Sequence, residues 1–347
     1  MTMPLTFQQA ILKVLEGQHL NRREARDVMS EMMEGNTTPA QIGSLLTALR
    51  MKGETVDEIT GFAEAMRSKG TAVRTVQQNL LDTCGTGGDG AETFNISTAS
   101  AIIAAAGGIR VAKHGNRAMS SKSGSADVLE ALGVNIQLTS EQAALCLDQV
   151  GICFMFAQLY HQSFKHAAGP RKELGFRTVF NLLGPLTNPA GADLQLLGIF
   201  DRTKTEIMAK VLQALGLKRA LVVASLDGLD EISISEPTMV TELKDGAVQS
   251  YEISPDKLGL RTYPLREVTG GDASANAEII KRVFHGERGA YRDILLANSG
   301  ACFYVSGRCN TLQQGVKLAA ELIDSGKVME KLNELVHFTG DLSHVSR

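Results

Sequence analysis

The sequence predicts an α/β protein with a small all-helical domain and a large domain whose mostly parallel central sheet is flanked by helices. Three observations predict it. Residues 5–70 carry four consecutive segments with helical apolar spacing. From about residue 78 the rhythm changes to a helix, a glycine and a short apolar run, repeated several times. Beyond residue 238 two alternating runs flank an Asp-Gly pair, the signature of a hairpin. At 347 residues the chain is long enough for one large core and a smaller one.

The helical segments are "FQQAILKVLEG", "NRREARDVMSEMMEG", "TPAQIGSLLTALRMKG" and "TVDEITGFAEAMRSKG". Each opens on a polar or capping residue and closes on glycine, which takes the left-handed conformation at a helix end without steric cost. They define a helical domain over residues 1–75, joined at a hinge by part of 165–190. Residues 76–347 form the α/β domain. In it "STASAIIAAAGG", "SADVLEALG", "SEQAALCLDQVG" and "KTEIMAKVLQALG" read as helices. The runs that follow them, "IRVAKHG", "VNIQL", "ICFMFA" and "LKRALVVASL", read as buried parallel strands. "MVTELKDGAVQSYEIS" reads as the hairpin, and "NAEIIKRVFHGE", "AYRDILLANSGACFYV" and "LQQGVKLAAELIDSGKVMEKLNELV" return to helix.

Composition narrows the function. With 44% hydrophobic and 21% charged residues and a net charge of -3, the chain has no cationic excess for coating nucleic acid. Cys84, Cys146, Cys153, Cys302 and Cys309 include no CxxC pair and read as reduced thiols, which points to the cytoplasm. No segment reads as a signal peptide or a membrane span.

Chemistry concentrates in polar loops at element ends, where ligands bind in α/β sheets. In "DTCGTGGDGAETFNIST", Gly85, Gly87 and Gly90 satisfy G-x-G-x-x-G. A dinucleotide fold also requires an acid about 20 residues on; this chain has Lys113, His114 and Arg117 there. A P-loop is excluded because no Gly-Lys-Ser/Thr follows. The glycines permit close backbone approach, and the start of the next helix favours an anion. Asp89 would repel phosphate, so it suits sugar hydroxyls or the water shell of a metal. Asn95, Ser97 and Thr98 can donate to phosphate, with Ser97 also able to ligate a hard cation; the alternative is that Ser97 and Thr98 simply cap the helix.

"KHGNRAMSSKSGSAD" combines Lys113, His114, Asn116 and Arg117 with Ser120, Ser121 and Ser125 at a helix start, a second set suited to phosphate, with a solvated basic turn as the alternative. Two anion loops suggest a substrate with two phosphate groups. In "GLDEISISE" the adjacent carboxylates Asp230 and Glu231 repel each other unless a cation or an arginine shares them; magnesium fits best, with an ordinary solvated loop as the alternative. "YHQSFKHAAGPRKELGFRTVFNLLGPLTNP" brings His161, His166, Arg171 and Arg177 to a proline-punctuated stretch. Its histidines are spaced for structural roles rather than for a metal, and Arg171 suits a carboxylate.

"GTGGDGAETFNIST", "KHGNRAMSSKSGSADVLEALG", "RKELGFRTVFNLLGPLTNPA" and "LDEIS", in this order over nearly the whole chain, resemble the anthranilate phosphoribosyltransferase family. The resemblance implies transfer of the 5-phosphoribosyl group from 5-phospho-α-D-ribose 1-diphosphate to the amine of anthranilate. The products are N-(5-phospho-β-D-ribosyl)anthranilate and diphosphate, a step of tryptophan biosynthesis. It also implies Mg2+ as cofactor, a homodimer formed through the helical domains, and no nucleic-acid or membrane partner. By resemblance, Gly85, Gly88, Asp89, Thr93, Asn95, Ile96, Ser97 and Thr98 bind the donor. So do Lys113, His114, Gly115, Asn116, Arg117, Ala118, Met119, Ser120, Ser121 and Ser125. Gly85, Asn116 and Arg171 contact anthranilate, with His114 and His161 lining its path. Ser97, Asp230 and Glu231 hold magnesium. The family usually reads His-Pro-Ala-Met where this chain has "HQSF" from His161.

The implied reaction is direct displacement at the ribose C1 through an oxocarbenium-like state, and it assigns no single catalytic side chain. A pyrimidine nucleoside phosphorylase and a nucleic-acid-binding relative are the alternatives. Asp230 and Glu231 with a need for magnesium disfavour the first; the retained Asn116 and Arg171 and the acidic balance disfavour the second.

Overall fold

The computed structural model describes residues 5–88, 90–118 and 122–344. Four N-terminal helices come first: α1 (Phe7–Leu15), α2 (Arg22–Met33), α3 (Pro39–Lys52) and α4 (Val56–Lys69). Each begins with a capping box, pairing Thr6 with Gln9, Asn21 with Glu24, Thr38 with Gln41 and Thr55 with Glu58. Reciprocal bonds of this kind satisfy amide donors that a helix start leaves open. Gly17, Gly35 and Gly53 follow the first three helices in the left-handed region, as expected. Gly70 differs: it is extended, φ -80° and ψ 157°, because the chain leaves α4 directly for the large domain.

The sheet and its helices follow as β1 (Leu81–Gly85), α5 (Ile96–Ala106), β2 (Val111–Gly115), α6 (Ser125–Ala131), α7 (Ser140–Gln149) and β3 (Ile152–Phe156). Next come α8 (Ala157–Tyr160), α9 (Lys165–Leu174), α10 (Phe180–Leu183), β4 (Leu194–Gly198), α11 (Thr205–Ala214) and β5 (Arg219–Ser225). The hairpin β6 (Thr238–Lys244) and β7 (Ala247–Ile253) precedes α12 (Ala273–Phe284), α13 (Ala290–Val305), α14 (Leu312–Asp324) and α15 (Lys327–His344). The strands make one seven-stranded sheet in the order β3-β2-β1-β4-β5-β6-β7. The first five are parallel, and β6 and β7 add antiparallel. Asp245 (φ 51°) and Gly246 (φ 75°) are both left-handed, as a tight hairpin turn requires.

Two apolar cores lie on opposite faces of this sheet, and alternate strand residues feed them. Leu196 and Leu221 join Ile102, Ile103 and Phe303 on one face. Leu197 and Val222 join Met208 of α11, Phe62 and Met66 of α4 and Leu183 of α10 on the other. The helical unit therefore shares a core with one face of the sheet, and α9 packs on α2 and α3.

The expected strand "VNIQL" does not form. The Asn135 amide donates to Thr339 Oγ1 and the Leu138 carbonyl accepts Tyr160 Oη, so this backbone is satisfied by α15 and α8 instead of a neighbouring strand. Val134, Ile136 and Leu138 are nevertheless buried. Two strands at the centre of the sheet, β1 and β4, carry buried polar residues that mask them in the sequence, namely Asp82, Thr83 and Gln195.

The order of strands places a topological switch between β1 and β4. From β1 the chain builds outward through β2 to β3, then returns to β4 on the opposite side. A crevice opens at such a point, beyond the carboxyl ends of the strands.

Candidate active site

Gly85 ends β1 and Gly198 ends β4, and the two are paired in register at the switch. Both leave room for one residue. A Cβ on Gly85 would run into the Asp230 carboxylate, and one on Gly198 would run into the Asp230 carbonyl. Asp230 is thereby seated over the ends of both central strands, with its Oδ2 accepting the Gly87 amide at 2.7 Å. Sequence reasoning missed Gly198, whose only signal was a glycine at the end of an apolar run. Asp230 and Glu231 are buried, at 8% and 9% exposure.

The glycine-rich loop continues from β1. Thr86 donates its amide to Gly198 O at 2.9 Å. Gly87, Gly88 and Gly90 have φ of 66°, 74° and 76°, which only glycine adopts freely. Asp89 lies outside the described residues. Thr93 makes an isolated antiparallel bridge to Thr269. Asn95 is the residue before α5, and its side chain does not cap that helix. Its Nδ2 donates to Ser123 O at 3.1 Å, and its Oδ1 accepts from Asn276 Nδ2 at 2.9 Å. It cross-links the glycine-rich loop, the second loop and α12. Ile96 points into the apolar core and its amide bonds Phe94 O, so it contributes no side chain to the crevice.

Ser97 and Thr98 stand in the first turn of α5, which has no side-chain cap, and this answers the capping alternative. Ser97 Oγ is 3.3 Å from Lys113 Nζ. The Thr98 hydroxyl is buried without a hydrogen-bond partner. Lys113 is itself buried, and its ammonium also donates to Thr83 O.

The second loop leaves β2. His114 is buried, its amide donating to Asp82 Oδ1 at 3.1 Å. Its Nε2 is buried without a hydrogen-bond partner. The His114 pKa is pushed down to about 3 by burial, by His161 and by Lys113. The two imidazoles meet edge to face, with centroids 5.1 Å apart. His161 is 4% exposed and its pKa is lowered by burial. Its Nε2 lies 2.9 Å from Thr187 O, so the neutral ring donates there. Gly115 leaves space for Ser125 Oγ, which donates to Asn116 O at 3.2 Å. Asn116 Oδ1 accepts the Arg117 amide at 2.8 Å. The Arg117 guanidinium is neutralised by Asp127 at 2.7 Å and Glu130 at 2.5 Å, and Asp127 also accepts the Ala118 amide. Met119, Ser120 and Ser121 lie outside the described residues.

Arg171, near the end of α9, is half-buried and stacks over Phe180, 4.9 Å from guanidinium carbon to ring centroid. Burial lowers its pKa, and among the described residues it makes no ion pair. Arg177, three residues past the helix, stacks over Phe200 at 3.8 Å.

Asp230 and Glu231 carry carboxylate oxygens and Ser97 a hydroxyl, the hard-oxygen chemistry that magnesium takes. Among the described residues no group of three His, Cys, Asp or Glu is assembled. Magnesium normally completes its shell with water and substrate phosphates, and the residues fit that use.

Comparison with known proteins agrees with this architecture. The a/b domain of the glycosyl transferase family matches residues 77–329, and its helical bundle domain matches residues 8–70. An anthranilate phosphoribosyltransferase of Brevibacillus brevis is 56% identical over 97% of this chain and 99% of its own length. The crystal structure of the Thermus thermophilus anthranilate phosphoribosyltransferase superposes with a TM-score of 0.91 at 42% identity, covering 95% of this chain and 99% of that one. The Saccharomyces cerevisiae enzyme in complex with PRPP and Mg matches with a TM-score of 0.88 at 26% identity, covering 96% and 98%. With both domains matched and its relatives spanned end to end, the chain belongs to the anthranilate phosphoribosyltransferase family.

Proposed function

We infer that this chain transfers the 5-phosphoribosyl group from 5-phospho-α-D-ribose 1-diphosphate to the amine of anthranilate, releasing diphosphate. The observation that carries the reading is the convergence, at the β1–β4 switch, of the glycine-rich loop, the uncapped start of α5, the His114–Asn116 loop and Asp230. Backbone amides of the first turn of α5 suit the donor phosphates, whereas the Gly87 amide is already taken by Asp230. Lys113 and Ser97 stand within reach of each other beneath them. Asp230, Glu231 and Ser97 would hold magnesium, which when bound neutralises negative charge on the diphosphate.

The displacement needs no protein nucleophile. The amine nitrogen bonds to C1, the C1–O bond breaks with its electron pair going to diphosphate, and the amine proton passes to solvent. The residues bind and orient: holding two reactants in line contributes up to about 7–11 kcal/mol in ideal cases. Arg171 receives the anthranilate carboxylate, a bidentate match for a guanidinium that has no ion pair among the described residues. His114 and His161, both neutral, supply an aromatic wall that does not compete for that carboxylate. Asn116 lies at the end of β2 beside them. The chain works as a homodimer through the helical unit, where Leu12, Leu15 and Met51 are 58%, 63% and 83% exposed on α1 and α3.

Mixing the purified protein with anthranilate, the donor and magnesium should consume anthranilate fluorescence. Asp230→Asn with Glu231→Gln should abolish the magnesium dependence of that loss. Phosphorolysis of thymidine or uridine without anthranilate consumption would overturn the reading.

A further inference from the structure

We infer that Arg177 is a diphosphate-binding residue, delivering to the glycine-rich loop a cation from the connection between α9 and α10. The inference rests on the transferase reading and adds to it a residue that the sequence placed in a basic stretch without a role of its own.

The backbone holds Arg177 in one place. Gly175 ends α9 in the left-handed conformation, φ 66°. The Thr178 amide donates to Asn181 Oδ1 at 3.0 Å, which fixes the start of α10. Between these two ends the Arg177 side chain lies flat on Phe200. Phe200 is tied in turn to the loop, its amide donating to Thr86 Oγ1 at 3.4 Å. The free edge of the guanidinium faces Gly88: Arg177 Nη2 is 3.0 Å from the point where a Cβ on Gly88 would stand. The missing side chain at position 88 is what lets the cation lie against the loop.

Charge makes the placement informative. Of the other half-buried cations, Arg117 has Asp127 and Glu130 and Lys204 has Glu54, while Arg67 and Arg110 donate to backbone carbonyls. Arg177 is half-buried and, among the described residues, makes neither an ion pair nor a hydrogen bond. A guanidinium stacked on one face keeps its in-plane donors for an anion, and its fork matches phosphate. The anion this loop is shaped for is the donor's diphosphate. When C1–O cleaves, the departing electron pair resides on diphosphate oxygens that Arg177 stabilises. Arg171 and Arg177 thus divide the work: the first takes the carboxylate of the acceptor, the second the leaving group of the donor.

The test uses the full-length protein and titrates inorganic diphosphate with magnesium by calorimetry, alongside steady-state kinetics. Arg177→Ala should weaken diphosphate binding by about ten- to hundredfold, the range for a charge-assisted pair. It should raise the donor KM and leave the anthranilate KM unchanged. Arg177→Lys, which keeps the charge but loses the fork and the stacking, should fall between the two, and it carries the test if the alanine variant does not fold. Unchanged diphosphate affinity in these variants, or a loss expressed in the anthranilate KM instead, would overturn the assignment. Arg177-dependent diphosphate binding in a protein that consumes no anthranilate would support the anion site while refuting the transferase reading.

Discussion

At the scale of single residues the buried histidines make a pH prediction. His114 has its pKa pushed down to about 3 from 6.5, mainly by burial. Below pH 6.5 the unfolded chain takes up a proton that the folded chain refuses, so this contribution is whole above pH 6.5 and is lost as pH falls toward 3. The melting temperature should therefore drop on acidification, and His114→Gln should drop less between about pH 7 and about pH 4.5. Parallel curves for the two proteins would show that His114 is not the titrating group. At this scale the sequence marked residues that the fold brings together, Gly85, Gly87 and Asp230 in one place and Ser97 and Lys113 in another, because glycines, paired carboxylates and clustered cations are uncommon in loops. What was not legible was direction. Arg117 looks like a phosphate ligand in the sequence, yet its guanidinium is satisfied by Asp127 and Glu130. Arg177 looked like part of a general basic stretch, and only Phe200 and Gly88, distant in the chain, give it a place.

At the scale of elements the capping residues made the four N-terminal helices readable, since each boundary has its own chemical mark. The strands were less readable where neighbours supply what their composition does not. Gln195 is buried in β4 because its amide donates to Pro185 O at 2.8 Å, a contact no local pattern reveals. The start of α4 carries a second buried device. Glu58 is fully buried, accepts the Leu20 amide at 3.0 Å and pairs with Lys52 at 2.9 Å, itself 6% exposed. Glu58→Gln should cost roughly 3–5 kcal/mol, because it leaves a buried ammonium without its partner. The urea midpoint should fall at constant m-value. Adding Lys52→Met to Glu58→Gln, whose amide oxygen can still accept from the Leu20 amide, should recover much of the loss, and failure of that double change would argue against an uncompensated charge as the cause.

At the scale of the whole molecule three chain segments pass between the helical unit and the sheet, and they are tied to one another. The Thr71 amide bonds Tyr160 O at 2.8 Å, the Val73 amide bonds Pro189 O at 2.9 Å, and His161 bonds Thr187 O. This junction lies beside His114. The partner proposed for the helical face belongs here too. Leu12→Glu with Met51→Glu should convert a dimer to a monomer in sedimentation without lowering the melting temperature of the sheet domain, since both side chains are exposed. A chain already monomeric before substitution would remove the dimer from the account.

The seating of Asp230 over Gly85 and Gly198 also limits how this sequence can drift. The three positions are far apart in the chain but occupy one volume, so a side chain added at 85 or 198 must evict Asp230 from the strand ends. No mutation at 230 makes room for it either, because at position 198 the obstacle is the backbone carbonyl and not a side chain. The second glycine is thus locked by a main-chain atom. A lineage that lost the metal and its carboxylate would be expected to free position 85 before position 198.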